Sequence, residues 1–116
     1  MRTTMRRDLT TALKARDRVA VSALRSALAA IDNAEAVPAP DARMSSSEHV
    51  AGAAVGVGSA EAARRELTPD DLHAIVAAEV AERVDAATGY ARSGRQDAAD
   101  RLRAEADVLR RYLRPE

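Results

Sequence analysis

Cysteine, phenylalanine and tryptophan are absent from this chain of 116 residues, and lysine occurs once, at Lys14. Without cysteine there is neither a disulfide framework nor a thiolate metal site, which fits a reducing compartment. Tyr90 and Tyr112 are the only aromatics. A core must therefore come from Leu, Val and Ile, and from helices brought close by alanine. Runs of β-branched residues are scarce and alanine, the best helix former, is abundant, so the composition points to an all-α fold. No apolar run approaches the roughly 18–20 residues a membrane helix needs. The charges at Asp8, Lys14, Arg16, Asp17 and Arg18 interrupt what a signal peptide keeps apolar. The expectation is a soluble, unexported, cytoplasmic protein with no membrane partner. The length suits one domain with a modest core.

Net charge is zero but unevenly placed. Residues 1–31 carry Arg2, Arg6, Arg7, Lys14, Arg16, Arg18 and Arg25 against Asp8 and Asp17, a balance of +5 that leaves −5 for the remainder. Such asymmetry either draws the two halves together or leaves a basic face for a polyanion. These seven cations are the candidate contacts for RNA or a partner. With no aromatic among them to stack on bases, a solvated face is favoured, or pairing with acids further along such as Glu82 and Asp85.

The clearest helix start is Thr68-Pro69-Asp70-Asp71, with a capping hydroxyl, a first-turn proline and two acids. From it Leu72, Ile75, Val76, Val80, Val84 and Ala87 share one face of a helix that runs to about Arg92. Gly94 supplies a left-handed cap, and Ala98, Leu102, Ala106, Leu109 and Leu113 repeat the spacing on a second helix. Residues 67–115 are therefore expected to form an antiparallel helical hairpin. Upstream, a helix over Thr3 to Ala15 presents Met5, Leu9, Ala12 and Leu13. Another, over Arg18 to Ala36 and capped by Asp17, presents Val21, Leu24, Leu28 and Ile31. The expected fold is a small all-α domain of about four helices, residues 1–36 forming a helix pair packed on the hairpin.

Between them, Val37-Pro38-Ala39-Pro40 stops the helical pattern, and residues 37–66 read as a Pro/Ser/Gly-rich linker. Gly52, Gly56 and Gly58 fall short of a phosphate loop, since no Lys-Ser or Lys-Thr pair follows them. His49 and His73 have no ligand partner at a useful spacing, and no serine has a base oriented toward it. Glu79 and Arg83, like Asp97 and Arg101, are four apart on their helices and read as surface pairs contributing about 0.2–0.5 kcal/mol each. Neither a catalytic constellation nor a cofactor site is expected.

Several of these residues recur together in one family. Leu13-Lys14-Ala15-Arg16-Asp17, Leu24-Arg25 and Ile31-Asp32-Asn33-Ala34-Glu35 resemble the opening of YqeY-like proteins, relatives of the C-terminal tail of the B subunit of glutamyl/aspartyl-tRNA amidotransferase. The second half is similar to them in Glu66-Leu67-Thr68, Glu79, Arg83, Tyr90, Ser93-Gly94-Arg95-Gln96-Asp97, Glu105, Leu109 and Tyr112-Leu113. The resemblance implies an all-helical fold and an adaptor that engages tRNA, with amide transfer carried out elsewhere in the complex. A label of carbon-nitrogen ligase with glutamine as nitrogen donor belongs to the whole enzyme, so the chain is expected to be no enzyme. The partners implied are tRNA or amidotransferase subunits, and not DNA. A self-associating helical module, such as a homodimer, is the alternative. Family members continue past a Tyr-Leu-Pro motif into a second helical unit, whereas Tyr112-Leu113-Arg114-Pro115 is followed here by Glu116 alone, so the first unit without the second is expected.

Overall fold

A computed structural model of the chain describes residues 1–36 and 65–115. The linker reading, with Gly52, Gly56, Gly58 and His49, lies outside the described residues. Among the described residues four helices follow in order: α1 (Arg2–Ala15), α2 (Arg18–Ala36), α3 (Pro69–Arg92) and α4 (Gln96–Arg110). A 3-10 turn, Arg111–Leu113, tightens the end of α4. The described residues include no strand. Helices α3 and α4 pack along each other as an antiparallel hairpin, α1 pairs with α2, and α2 lies against both members of the hairpin. The fold is a small all-α domain in which an N-terminal helix pair packs on a C-terminal hairpin.

Local chemistry fixes the helix ends. Thr68 and Asp71 close a reciprocal capping box, the Asp71 amide donating to Thr68 Oγ1 (3.1 Å) and the Thr68 amide to Asp71 Oδ2 (2.9 Å). The bond from the Thr68 amide first, and then the Thr68 hydroxyl, hold the Asp71 carboxyl below its usual 3.8. Asp17 caps α2 by accepting from the Ala20 amide (3.1 Å). Before α3, the Arg65 amide donates to the Glu35 carbonyl (3.1 Å), so the chain resumes beside the end of α2.

The two short turns use the same closure. After α3, Gly94 takes φ 80°, its amide reaches the Ala91 carbonyl (3.1 Å) and the Arg95 amide the Tyr90 carbonyl (2.8 Å). After α1 the left-handed residue is Arg16, at φ 57°, with its amide on Leu13 O (3.2 Å) and that of Asp17 on Ala12 O (2.9 Å). An L-residue pays about 1–2 kcal/mol for this conformation, which glycine takes freely. A side chain is thus kept where the backbone favours none.

Met5, Leu24, Ile31, Val76 and Leu109 are fully buried, and with Ala23, Ala27 and Ala106 they form a core to which all four helices contribute. The alanines let helix axes approach closely, which compensates for the missing aromatics. Two expected faces need correction. Leu13 is 46% exposed, because α1 packs mainly on α2 and a helix with one neighbour buries only a narrow stripe. On α4 the buried face is Ala99, Glu105, Ala106, Val108 and Leu109, while Ala98, Leu102 and Leu113 sit at its half-buried margin. The helix is rotated so that its glutamate, flanked by Ala106, faces inward.

Candidate functional site

Four arginines surround one groove. Arg16 at the end of α1, Arg18 and Arg25 on α2, and Arg101 on α4 line a cavity of about 720 Å³ floored by Leu13, Val21 and Ser22. No acid lines it. Asp17, between two of these arginines in sequence, is committed to capping Ala20 and lines a different cavity. Arg101 was matched by spacing to Asp97, but it approaches Glu105 instead, Nε to Oε2 at 3.7 Å, while Asp97 stays exposed in the first turn of α4.

The remaining candidate cations are placed otherwise. Arg2 folds back onto α2, where Nη1 donates to Glu35 Oε2 (3.0 Å) and Nη2 lies 2.9 Å from Oε1 without hydrogen-bond geometry. Asp32 Oδ1 is 3.8 Å from the same guanidinium. Arg2 therefore fastens the start of α1 to the end of α2. Arg6, Arg7 and Lys14 are exposed along α1. The expected pairing with Glu82 and Asp85 is not formed: both acids are exposed, and among the described residues neither takes part in an ion pair. The physical reason is topological, since Glu82 and Asp85 lie on α3, whereas α1 packs mainly on α2.

Through Arg101 the groove adjoins a polar network. Ser26 Oγ on α2 donates to Glu79 Oε1 (2.7 Å). Arg83 Nη1 reaches Glu79 Oε1 (3.2 Å) and the Glu79 carbonyl (3.1 Å), and its Nε donates to Glu105 Oε1 (3.1 Å). The side chains of Arg83, Glu79 and Glu105 are only 11%, 13% and 7% exposed. The surface reading of Glu79 and Arg83 is therefore overturned. Their pair faces α2 and α4, and Glu105 completes it from the opposite helix. Chemically the two carboxylates are occupied by one guanidinium and line neither cavity described here, so the cluster is a fastening between three helices.

A second cavity, of about 640 Å³, lies at the other side of α1, among Asp8, Thr11, Asp17, Arg111 and Tyr112. The Tyr112 hydroxyl donates to Asp8 Oδ2, joining the 3-10 turn to α1. Burial first, then this bond and the carboxylate's charge, raise the phenol well above its ordinary 10.0. Its contribution to folding is thus whole below the ordinary phenol range and is lost only at strongly alkaline pH.

Seven of the residues singled out by the family resemblance prove to be joints. Glu79, Arg83 and Glu105 make the network; Tyr90, Gly94 and Arg95 make the α3–α4 turn, with the Arg95 guanidinium 4.9 Å from the Tyr90 ring centroid; and Tyr112 ties the end of the hairpin to α1. His73 is exposed. Among the described residues no group of acids and histidines could hold a metal ion, and no helix is long and apolar enough to cross a membrane. Sequence spacing missed Arg101 in the groove and Glu105 in the network. The available signal for the latter was a glutamate three residues after Leu102 and four before Leu109, inside an apolar stripe.

No curated protein and no solved structure matches the chain. The family model described as Yqey-like protein matches residues 35–116, a span that holds the whole hairpin and leaves α1 and nearly all of α2 outside. Since that span is more than half of the chain, the chain belongs to the YqeY-like family.

Proposed function

We propose that the chain is a non-catalytic interaction domain serving tRNA-dependent amidation or another translation-linked assembly. The observation that carries this reading is a set of unpartnered cations on one helix pair. Arg6, Arg7, Lys14, Arg16, Arg18 and Arg25 are all exposed, and among the described residues none of them is in an ion pair. Such a surface recruits anionic partners by long-range attraction. The non-catalytic part rests on the fate of the titratable groups that the fold brings together, which are spent on fastening helices. The translation link rests on family kinship with the amidotransferase tail. Self-association has less support, because Met1 and Leu13 are the only large apolar side chains left exposed among the described residues.

The test is binding of unmodified tRNA across a salt series, together with recovery of amidotransferase subunits from the native host. Affinity should fall by about 0.7–0.9 logarithmic units per phosphate contact for each tenfold rise in salt. The variant carrying Arg6→Glu and Arg7→Glu should bind more weakly, with a shallower slope. An unchanged slope assigns those two arginines to solvent, and absence of both tRNA and subunits at low salt ends the translation link.

A further inference from the structure

We infer that the four-arginine groove docks an acidic amphipathic segment of a partner protein, with one large aliphatic side chain seated on Leu13 and Val21 and flanking carboxylates on the guanidinium rim. The inference rests on the reading of the chain as an interaction domain, but not on the tRNA link.

Charge complementarity sets the sign of the occupant. Arg16, Arg18 and Arg25 have no anionic partner among the described residues, and Arg101 is held only at 3.7 Å by Glu105 while its side chain remains 60% exposed. Guanidinium groups take carboxylate and phosphate equally well, as planar two-pronged donors. The floor decides between them. A nucleic-acid backbone laid here would place its charge over Leu13 and Val21 and bury nothing of its own against them. Unstacked bases would find no platform, since Tyr90 belongs to the α3–α4 turn and Tyr112 to the Asp8 contact. A cavity of about 720 Å³ holds a few side chains rather than a duplex. An apolar centre ringed by cations is the complement of a helix that carries one aliphatic stripe bordered by Glu or Asp.

The placement of Arg16 agrees with this use. Its left-handed backbone favours glycine, yet the position carries a guanidinium that lines the groove. Arg101 has the complementary property: Glu105 keeps its inner oxygen on Arg83 whether or not Arg101 leaves the outer one, so Arg101 can turn to a ligand without undoing the network.

Fluorescence anisotropy with the full chain tests the inference. The probe is a labelled peptide of about 14 residues, four helical turns, with leucines at three- and four-residue spacing and glutamates on either side. A scrambled peptide of the same composition and a single-stranded uridine oligonucleotide of the same charge are the comparisons. The ordered peptide should bind about tenfold more tightly than the scrambled one, and Leu13→Ser should abolish that preference. Arg18→Glu combined with Arg25→Glu should weaken the ordered peptide about a hundredfold. Leu13 is on the surface, so its variant keeps the fold; circular dichroism verifies this, and Val21→Thr serves as a second floor variant. Equal binding of ordered and scrambled peptides, or no binding of either, overturns the inference. An oligonucleotide that binds more tightly than the peptide and is lost with Arg18 and Arg25 overturns it in favour of a phosphate site. A chain that binds tRNA through Arg6 and Arg7 but ignores the peptide leaves the tRNA reading standing and removes this one, whereas peptide binding without tRNA does the reverse.

Discussion

Arg83→Leu is expected to lower the unfolding free energy by about 3–5 kcal/mol, close to the limit for one substitution. The size follows from what the change leaves behind. Glu79 and Glu105, nearly enclosed between helices, lose the guanidinium that both share. Ser26 still donates to Glu79, and Arg101 stands 3.7 Å from Glu105, but neither replaces a buried charge partner. Removing Glu105 as well should recover part of the loss, since an apolar pair in that space costs less than an isolated carboxylate. Urea denaturation reads both variants. A loss under about 1 kcal/mol for Arg83→Leu would return the pair to the rank of a surface contact.

Leu109→Ala should cost about 2–5 kcal/mol by the same measurement. Leu109 is fully buried in a core whose neighbours include Ala27, Ala106, Val76 and Ile31. Short side chains cannot swing into the vacated space, and the α2–α4 packing they permit is already close. The cavity therefore persists, which places the cost toward the upper part of the range. A loss below about 1.5 kcal/mol would mean that the helices draw together to fill it.

The two substitutions separate what spacing along the chain conveys from what it cannot. The ends of α2 and α3 were legible, because Asp17, Thr68 with Pro69, and Gly94 act through bonds to residues within one turn. The left-handed turn at Arg16 was not, since arginine has no preference for that conformation and only the meeting of α1 with α2 imposes it. Glu79/Arg83 and Asp97/Arg101 look equivalent in sequence. They differ in the structure because both members of the first pair face other helices, whereas in the second Arg101 turns to the groove and Asp97 stays exposed in the first turn of α4. A four-residue interval reports neighbours on one helix and is silent about the helix opposite. For the same reason the groove was half legible: Arg16, Arg18 and Arg25 are near one another in sequence, whereas Arg101 arrives by tertiary packing. Leu13 was misplaced because its spacing is apolar and regular, while the number of helices that cover α1 is a property of the whole fold.

That sparse covering of α1 has a dynamic consequence. Its main neighbour is α2, and its ties beyond that helix include the Tyr112 hydroxyl on Asp8. A helix held along one side opens in smaller excursions than a helix wedged between two others. Amide hydrogens of α1 should accordingly exchange through sub-global openings, faster than those of α2 and α4; uniform protection would mean that all four helices open as one cooperative unit. Leu13 and Arg16 stand at the far end of this loosely held element, so the groove takes shape only while α1 is closed. A ligand spanning Arg16 and Arg101 would then latch α1 to α4, and part of its affinity would be converted into slower opening of the first helix.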